Sequence, residues 1–263
     1  MLTPGQIAHY DTFGFLVLRG VFSAAEVSSI QRDFDEVWNE SAGGQPWSGD
    51  RVETHQPFIE RRATLTRLAE DDRIYGAVEQ LLGPNIVWGG SAAARYVGDS
   101  GWHADDFDGL METYPVIKVV TYLEPVDKDT GCLRIIPGSH HRSFNQDLRP
   151  LDQQHSDPSL MPFSVLGHDT PGFPMETHPA DLIIFDARAY HGAFGGGPGR
   201  SNMQLLYFPE PAGDEDAGTL RQIYHRTKYI LRIAESFLNS DSPRVRRLVA
   251  KNLELGFDII KGV

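Results

Sequence analysis

The 263-residue chain has one cysteine, Cys132, so no internal disulfide can form and the thiol inventory suits a reducing compartment. Long apolar runs are also missing. The longest, such as Leu182-Ile-Ile-Phe185, fall far short of the roughly 20 residues that span a bilayer. The opening stretch MLTPGQIAHYDTFGF lacks a basic region followed by an apolar one, so no signal peptide is expected and the expected location is the cytoplasm. Basic residues are scarce as well: 24 Lys and Arg face 36 Asp and Glu, for a formal charge of −12. That balance argues against nucleic acid or an anionic membrane surface as a partner, and leaves a small-molecule ligand as the expectation. Composition does not set an oligomeric state, although a homodimer is compatible with it.

What remains is an ordinary globular composition, 40% hydrophobic and 23% charged, at a length that buries a sizeable core. Thr3-Pro4 predicts the start of a short helix ended by Gly14, and FLVL (15–18) reads as a strand. Ser23 and Glu26 form a capping-box pattern opening a helix to about Asn39. Residues 41–58 carry turn signals, and Arg73 to Leu82 reads as a helix closed by Gly83-Pro84. From 85 to 209 come short β-branched or aromatic runs: IVWGG, AARYV, VIKVVTYL, CLRIIP, DLIIFDA and NMQLLYFPE. Such spacing predicts a sandwich or barrel. Residues 143–178, rich in Pro, Asp and Gln, read as a long insertion suited to a lid. Helical patterns return over roughly 217–239 and from Ser242-Pro243 to Gly256. The expectation is one domain over 1–263, with helical support in 1–84, a β core in 85–209 and C-terminal helices in 217–262.

His-x-Asp occurs three times, at His9/Asp11, His103/Asp105 and His155/Asp157, and only context separates a site from a chance match. On a strand, residues i and i+2 point to one face, so the pattern delivers an imidazole and a carboxylate side by side. His9 falls in the predicted first helix, where i and i+2 diverge, and reads as structural. His155 lies in the insertion and reads as a solvated turn. His103, in GWHADDFDG, follows the run AARYV and a turn, at the end of a barrel strand. A calcium loop does not fit there. With Gly109 at the invariant glycine, Ala104 and Pro115 take the first and last positions, where Asp and Glu are required. Asp106 and Asp108 therefore read as loop or mouth carboxylates.

A non-haem Fe(II) oxygenase needs His, Asp and one distant His on a single facet, leaving three positions for a bidentate cosubstrate and O₂. His191, after DLIIFDA and before the glycine-rich GAFGGGPG, is the natural third ligand; zinc held by the same residues stays open. In RSNMQLLYF, Arg200, Asn202 and Gln204 share one face while Met203, Leu205 and Tyr207 share the other. If the apolar face packs on helices, Arg200 looks into the barrel and needs an anion, which a dicarboxylate cosubstrate supplies. By the same alternation Lys118 and Tyr122 are further cosubstrate-contact candidates, with a solvent-facing edge as the alternative.

GWHAD (101–105), TGCLRIIPGSHH (130–141), DLIIFDARAYHG (181–192) and Arg200 together resemble the phytanoyl-CoA dioxygenase-like branch of the Fe(II)/2-oxoglutarate oxygenases. The segment FGFLVLRGVFS and the helix after it share the likeness, which covers most of residues 1–209. The resemblance implies a mainly β protein with flanking helices around a double-stranded β-helix (jelly-roll, cupin-like) core. It implies iron on His103, Asp105 and His191, 2-oxoglutarate with its distal carboxylate on Arg200, and O₂ as oxidant. Family members often carry a hydroxyl residue two after the distal His, and Ala193 stands there instead. Halogenating relatives replace the metal-binding Asp with a small residue, so Asp105 disfavours halogenation. His140 would belong to a structural loop.

The implied reaction is hydroxylation of a small metabolite in biosynthetic tailoring, with release of succinate and CO₂. Desaturation, epoxidation and cyclisation would begin identically. Pocket walls are expected from 41–60, 104–116 and 143–178, with Arg95, Trp102, Asp106, Phe107 and Asn202 as substrate-pocket candidates. Trp47, Phe163 and Phe173 are further aromatic candidates for a hydrophobic slot. Two rival readings are a cupin-type dioxygenase or isomerase without 2-oxoglutarate, and a non-catalytic ligand-binding β-barrel. Arg200 argues against the first and the intact His/Asp/His set against the second.

Overall fold

Two antiparallel sheets carry the computed structural model, which describes residues 1–105, 109–110, 114–157 and 159–263. Their strands are β1 Phe15–Leu18, β2 Glu53–His55, β3 Val87–Tyr96, β4 Ser100–His103, β5 Ile117–Tyr122, β6 Leu133–Ile135, β7 Phe173–Pro174, β8 Leu182–Asp186, β9 His191–Ala193 and β10 Arg200–Phe208. The larger sheet runs β1-β8-β5-β10-β3-β2 and the smaller β4-β9-β6-β7. From β3 to β10 the chain alternates between the sheets, with β6 and β7 as one hairpin-like pair in the smaller sheet, which is the winding of a double-stranded β-helix.

The two-residue period decides which face each side chain takes. On β5 and β10, Ile117, Val119, Met203, Leu205 and Tyr207 join the main core with Trp88 and Ile184. Their alternates Lys118, Val120, Tyr122, Asn202 and Gln204 line a cavity between the sheets. The helix Ala24–Ser41 covers the outer face, capped by the reciprocal Ser23–Glu26 pair. It buries Phe34, Val37 and Trp38 completely or nearly so, each worth about 1.5–3 kcal/mol of transfer free energy. The helix Pro243–Glu254 adds Val245, Leu248 and Val249 to the same core.

Several expectations change. IVWGG and AARYV form the single strand β3, because Gly90 continues the ladder opposite Leu206 instead of turning the chain. The segment 41–58 is not wholly loop, since β2 within it pairs with β3. The insertion holds the helices Arg142–Leu148 and Asp152–Ser156 and strand β7, not an irregular loop throughout. The helix expected over 217–239 spans Asp214–Arg226 and stops. Beyond it, Leu231 takes φ 65°, its N–H bonds Gly89 O at 2.7 Å, and Ile233–Ala234 pairs in parallel with Ile259–Ile260. Tertiary pairing there overrides helical periodicity. Among the described residues, no helix is long and apolar enough to cross a membrane.

Candidate active site

The antiparallel β4–β9 ladder pairs His103 directly with His191. Asp105 follows His103 by two residues, and its N–H donates to Ala187 O at 2.9 Å, which fixes its backbone beside β8. One ligand atom from each of the three lies within 4.8 Å of the others. His103 Nε2 is 3.9 Å from Asp105 Oδ1, and His191 Nε2 is 3.6 Å from Oδ2. The Nδ1 atoms of both rings face backbone carbonyls, Gly101 O at 2.8 Å and Ala189 O at 2.9 Å. A carbonyl only accepts, so each Nδ1 carries the proton and each Nε2 turns its lone pair toward the shared centre.

Burial lowers the His103 imidazole below its ordinary value and pushes that of His191 to about 3, which keeps both rings neutral. Burial alone would raise the Asp105 carboxyl, but the Lys118 ammonium paired with Oδ2 holds it well below the carboxylate range. Two neutral imidazoles and one carboxylate are thus presented together. That donor set suits a first-row divalent ion such as Fe(II), and is poor in oxygen for calcium or magnesium.

Arg200, the first residue of β10, is 5% exposed. Its Nη2 donates to Gly98 O at 2.8 Å, while Nε and Nη1 have no hydrogen-bond partner among the described residues. The guanidinium lies against bare backbone. A Cβ at residue 196 would sit 1.1 Å from Nη1, and one at residue 131 would sit 2.5 Å from it. A glycine cradle around an unsatisfied cation fits a carboxylate that takes both free donors. Tyr122 lies in the same cavity, and burial raises its phenol, so the O–H stays available as a donor. Its hydroxyl also meets Asn202. Ala193, on the cavity wall, has no hydroxyl to offer.

The cavity of about 420 Å³ therefore gathers His103, Asp105, His191, Lys118, Tyr122, Arg200 and Asn202. Lys118 lines the cavity and pairs with Asp105. Arg95 is not in the cavity. Tyr96 and Ala92 point inward from β3, so Arg95 points outward, pairing with Asp35 at 2.8 Å and lying 4.6 Å from the Trp38 ring centroid. Trp102 is excluded by the same parity. Adjacent to His103, it faces the opposite way, fully buried, with Nε1 on Gly167 O at 2.7 Å. Asp106 and Phe107 lie outside the described residues. Trp47 packs on the main core, and Phe163 and Phe173 are exposed; among the described residues Phe185 is the phenylalanine that lines the cavity. His140 is structural as expected, its Nε2 3.3 Å from Asp11 O under the first helix.

His155 overturns its sequence reading. It belongs to the helix Asp152–Ser156, lines the cavity, and places its ring centroid 4.2 Å from that of His103. Gly101 permits this approach, because a Cβ there would sit 2.1 Å from Gln154 O. No local pattern marks such a contact; a helix 50 residues downstream creates it. Gln56 and Gln204 also line the cavity and were not among the candidates.

Facing antiparallel sheets that close on a His-x-Asp and a distant His define a protein of the double-stranded β-helix oxygenase class. The chain belongs to the phytanoyl-CoA dioxygenase (PhyH) family, whose model matches residues 10–199. It is 25% identical over 218 residues to an ectoine dioxygenase of Bordetella bronchiseptica, covering 73% of this chain and 70% of that protein. It is 21% identical to the peroxisomal phytanoyl-CoA dioxygenase of Rattus norvegicus, over 73% of this chain and 64% of that one. Among solved structures, HygX from Streptomyces hygroscopicus with nickel and 2-oxoglutarate bound aligns with a TM-score of 0.62 at 20% identity. That alignment covers 80% of this chain and 88% of HygX. The epimerase SnoN from nogalamycin biosynthesis aligns with a TM-score of 0.60 at 20% identity, over 80% and 86% of the two chains. These structural likenesses establish the double-stranded β-helix fold.

Proposed function

We propose that this protein is an Fe(II)- and 2-oxoglutarate-dependent oxygenase that hydroxylates a small-molecule metabolite in biosynthetic tailoring, releasing succinate and CO₂. One observation carries the reading: a two-imidazole, one-carboxylate cluster shares a cavity with a buried arginine whose Nε and Nη1 are unsatisfied among the described residues. The cluster alone would suit zinc or a cupin-type oxygenase without 2-oxoglutarate. Arg200 adds the demand for a carboxylate, and decides between them.

His103, Asp105 and His191 would hold the iron through Nε2, a carboxylate oxygen and Nε2. Iron with chelated 2-oxoglutarate supplies O₂ activation and oxidation of a substrate C–H bond. Arg200 takes the distal carboxylate in a charge-assisted pair, and Tyr122 adds a hydroxyl in place of the one missing at Ala193. Lys118 keeps Asp105 ionised and fixes its rotamer. Val120, Leu133 and Phe185 line the same cavity and limit water access. The tailoring role draws support from SnoN, which comes from nogalamycin biosynthesis and has been solved with Fe3+, alpha ketoglutarate and nogalamycin RO.

Anaerobic titration of the apoprotein with Fe(II) and 2-oxoglutarate tests the reading. A visible metal-to-ligand charge-transfer band is expected, lost in His103→Ala and weakened in Arg200→Ala. Folded, iron-loaded protein that gives no band would overturn the proposal. Succinate release during a metabolite screen then identifies the substrate.

A further inference from the structure

The cavity has a second lobe of about 210 Å³ that shares Gln56, Ala92, Asp105, Lys118 and Gln204 with the first. Arg200 lines only the first lobe; Leu206, Tyr229 and Ile230 line only the second. Building on the oxygenase reading, we propose that this lobe seats the primary substrate. The substrate is a compact, uncharged molecule whose donor and acceptor groups, as in a carboxamide or lactam, pair with Gln56 and Gln204.

Strand register places the lobe. Along the β5–β10 ladder the partners are Asn202 with Tyr122, Gln204 with Val120, and Leu206 with Lys118. At about 3.3 Å per residue, Arg200 and Leu206 stand roughly 20 Å apart on β10. Asp105, paired with Lys118, opens onto both lobes. A cosubstrate held at the Arg200 end therefore leaves the other end of the metal cluster facing the second lobe.

Charge selects the occupant. The cations that line the two lobes, among the described residues, are Lys118 and Arg200. Arg200 serves the cosubstrate and Lys118 is paired with Asp105, so an anionic substrate would be desolvated without a partner. Among the described residues a cation fares no better in the second lobe: Asp105 is committed to the metal and Lys118, and Asp99 lines only the first lobe.

Besides the Tyr229 phenol, the polar side chains left over in the second lobe are carboxamides. Gln204 donates through Nε2 to Tyr96 Oη and to Asn202 Oδ1, both at 3.2 Å, and its carbonyl accepts nothing among the described residues. The Gln56 side chain has no hydrogen-bond partner among them, although Gln56 is half-buried. A volume near 210 Å³ lies below the roughly 300–1,000 Å³ of drug-sized sites, and the portion of a substrate that enters the lobe is about the size of a single ring.

The test uses three probes with one ring and different charge: cyclohexanecarboxamide, cyclohexanecarboxylate and cyclohexylmethylammonium. Saturation-transfer NMR reads their binding to protein loaded with Zn(II), which replaces Fe(II) to prevent turnover, and with 2-oxoglutarate. The carboxamide is expected to bind at least tenfold more tightly than either charged probe. Leu206→Trp, which fills the lobe, should abolish its signal and leave that of 2-oxoglutarate. Gln56→Leu should weaken the carboxamide about tenfold, and carries the test alone if the tryptophan variant does not fold. Equal binding of a charged probe, carboxamide binding unmoved by these variants, or binding of none of the three would overturn the proposal. Loss of the 2-oxoglutarate signal in the wild type would overturn the oxygenase reading instead, and the same spectrum separates the two failures.

Discussion

Arg200→Met should move ligand-free stability and cosubstrate affinity in opposite directions. Methionine keeps the length and apolar bulk of the stem and deletes the charge. The ligand-free protein loses the Nη2 bond to Gly98 O at 2.8 Å, worth about 1.5–3 kcal/mol for a charged donor. It also loses the contact with the Tyr96 ring at 5.7 Å, worth about 0.5–1 kcal/mol. Against this it sheds two buried donors, Nε and Nη1, that lack partners among the described residues and cost about 1–3 kcal/mol each. The terms nearly cancel, giving a net change between a loss of about 2 and a gain of about 4 kcal/mol, centred on a gain of about 1 kcal/mol, or a few degrees in Tm at this size. Binding behaves otherwise. The distal carboxylate of 2-oxoglutarate would be buried unpaired at a cost of about 2–5 kcal/mol, or thirty- to several-thousand-fold in Kd. Calorimetry of the metal-loaded protein reads both quantities. The 2-oxoglutarate-induced Tm rise, set by RT ln(1 + [L]/Kd), should nearly vanish in the variant while the ligand-free Tm holds. A variant that loses more than about 2 kcal/mol without ligand and binds 2-oxoglutarate within threefold of wild type would make Arg200 a structural residue and refute the reasoning.

Tyr122→Phe should weaken 2-oxoglutarate about three- to tenfold, the worth of one hydroxyl hydrogen bond, and Ala193→Ser in that background should recover part of it; titration of the charge-transfer band measures both. Gly101→Ala should cost about 1–3 kcal/mol and speed hydrogen exchange in 152–156, because the added Cβ would sit 2.1 Å from Gln154 O; unchanged exchange there would show that the helix does not depend on the contact. Burial pushes the Glu124 carboxyl from 4.5 up to about 7, so the folded state binds that proton more tightly than the unfolded state and loses stability as pH rises from about 4.5 to 7. Glu124→Gln keeps a carbonyl to accept from Ser201 N and should gain on wild type by about 1–2 kcal/mol at pH 8, after discounting for solvent screening, and by nothing near pH 4.5. Denaturant titrations across pH that show a constant difference would count against the buried charge.

What could be read beforehand depended on how local the cause was. Period two sorted Arg200, Asn202 and Gln204 from Met203, Leu205 and Tyr207, because burial of one strand face forces the alternation. The same rule applied to Arg95 and Trp102 would have excluded both, since each neighbours an inward residue, Tyr96 or His103. His155 had no comparable signal. Its place beside His103 follows from the docking of the helix Asp152–Ser156 on Gly101, a contact that spans about 50 residues. The helical pattern beyond Arg226 failed for a related reason. Asn252 Nδ2 binds Leu231 O at 2.8 Å and Leu231 N–H binds Gly89 O, so distant partners set the backbone where periodicity suggested helix.

The two ends of the cavity are built by different means, and this governs what each can recognise. At the Arg200 end, β10 lies between β5 and β3, and Gly98, Gly131 and Gly196 meet the guanidinium with backbone. Ladder hydrogen bonds hold the cation there, and larger side chains at 131 or 196 would collide with it, so the end serves one carboxylate geometry. At the other end Tyr229 and Ile230 come from an irregular segment after the helix Asp214–Arg226. Bonds from Leu231 N–H to Gly89 O and from Asn252 to Leu231 O tether that segment. Side chains on a tethered loop can change without disturbing a ladder, so substrate preference can vary at 229 and 230 while the Arg200 end stays fixed. The metal cluster stands where the two lobes meet, and Lys118 joins them. It pairs with Asp105 and sits opposite Leu206, so the strand register that orients the metal-binding carboxylate also sets the boundary of the second lobe.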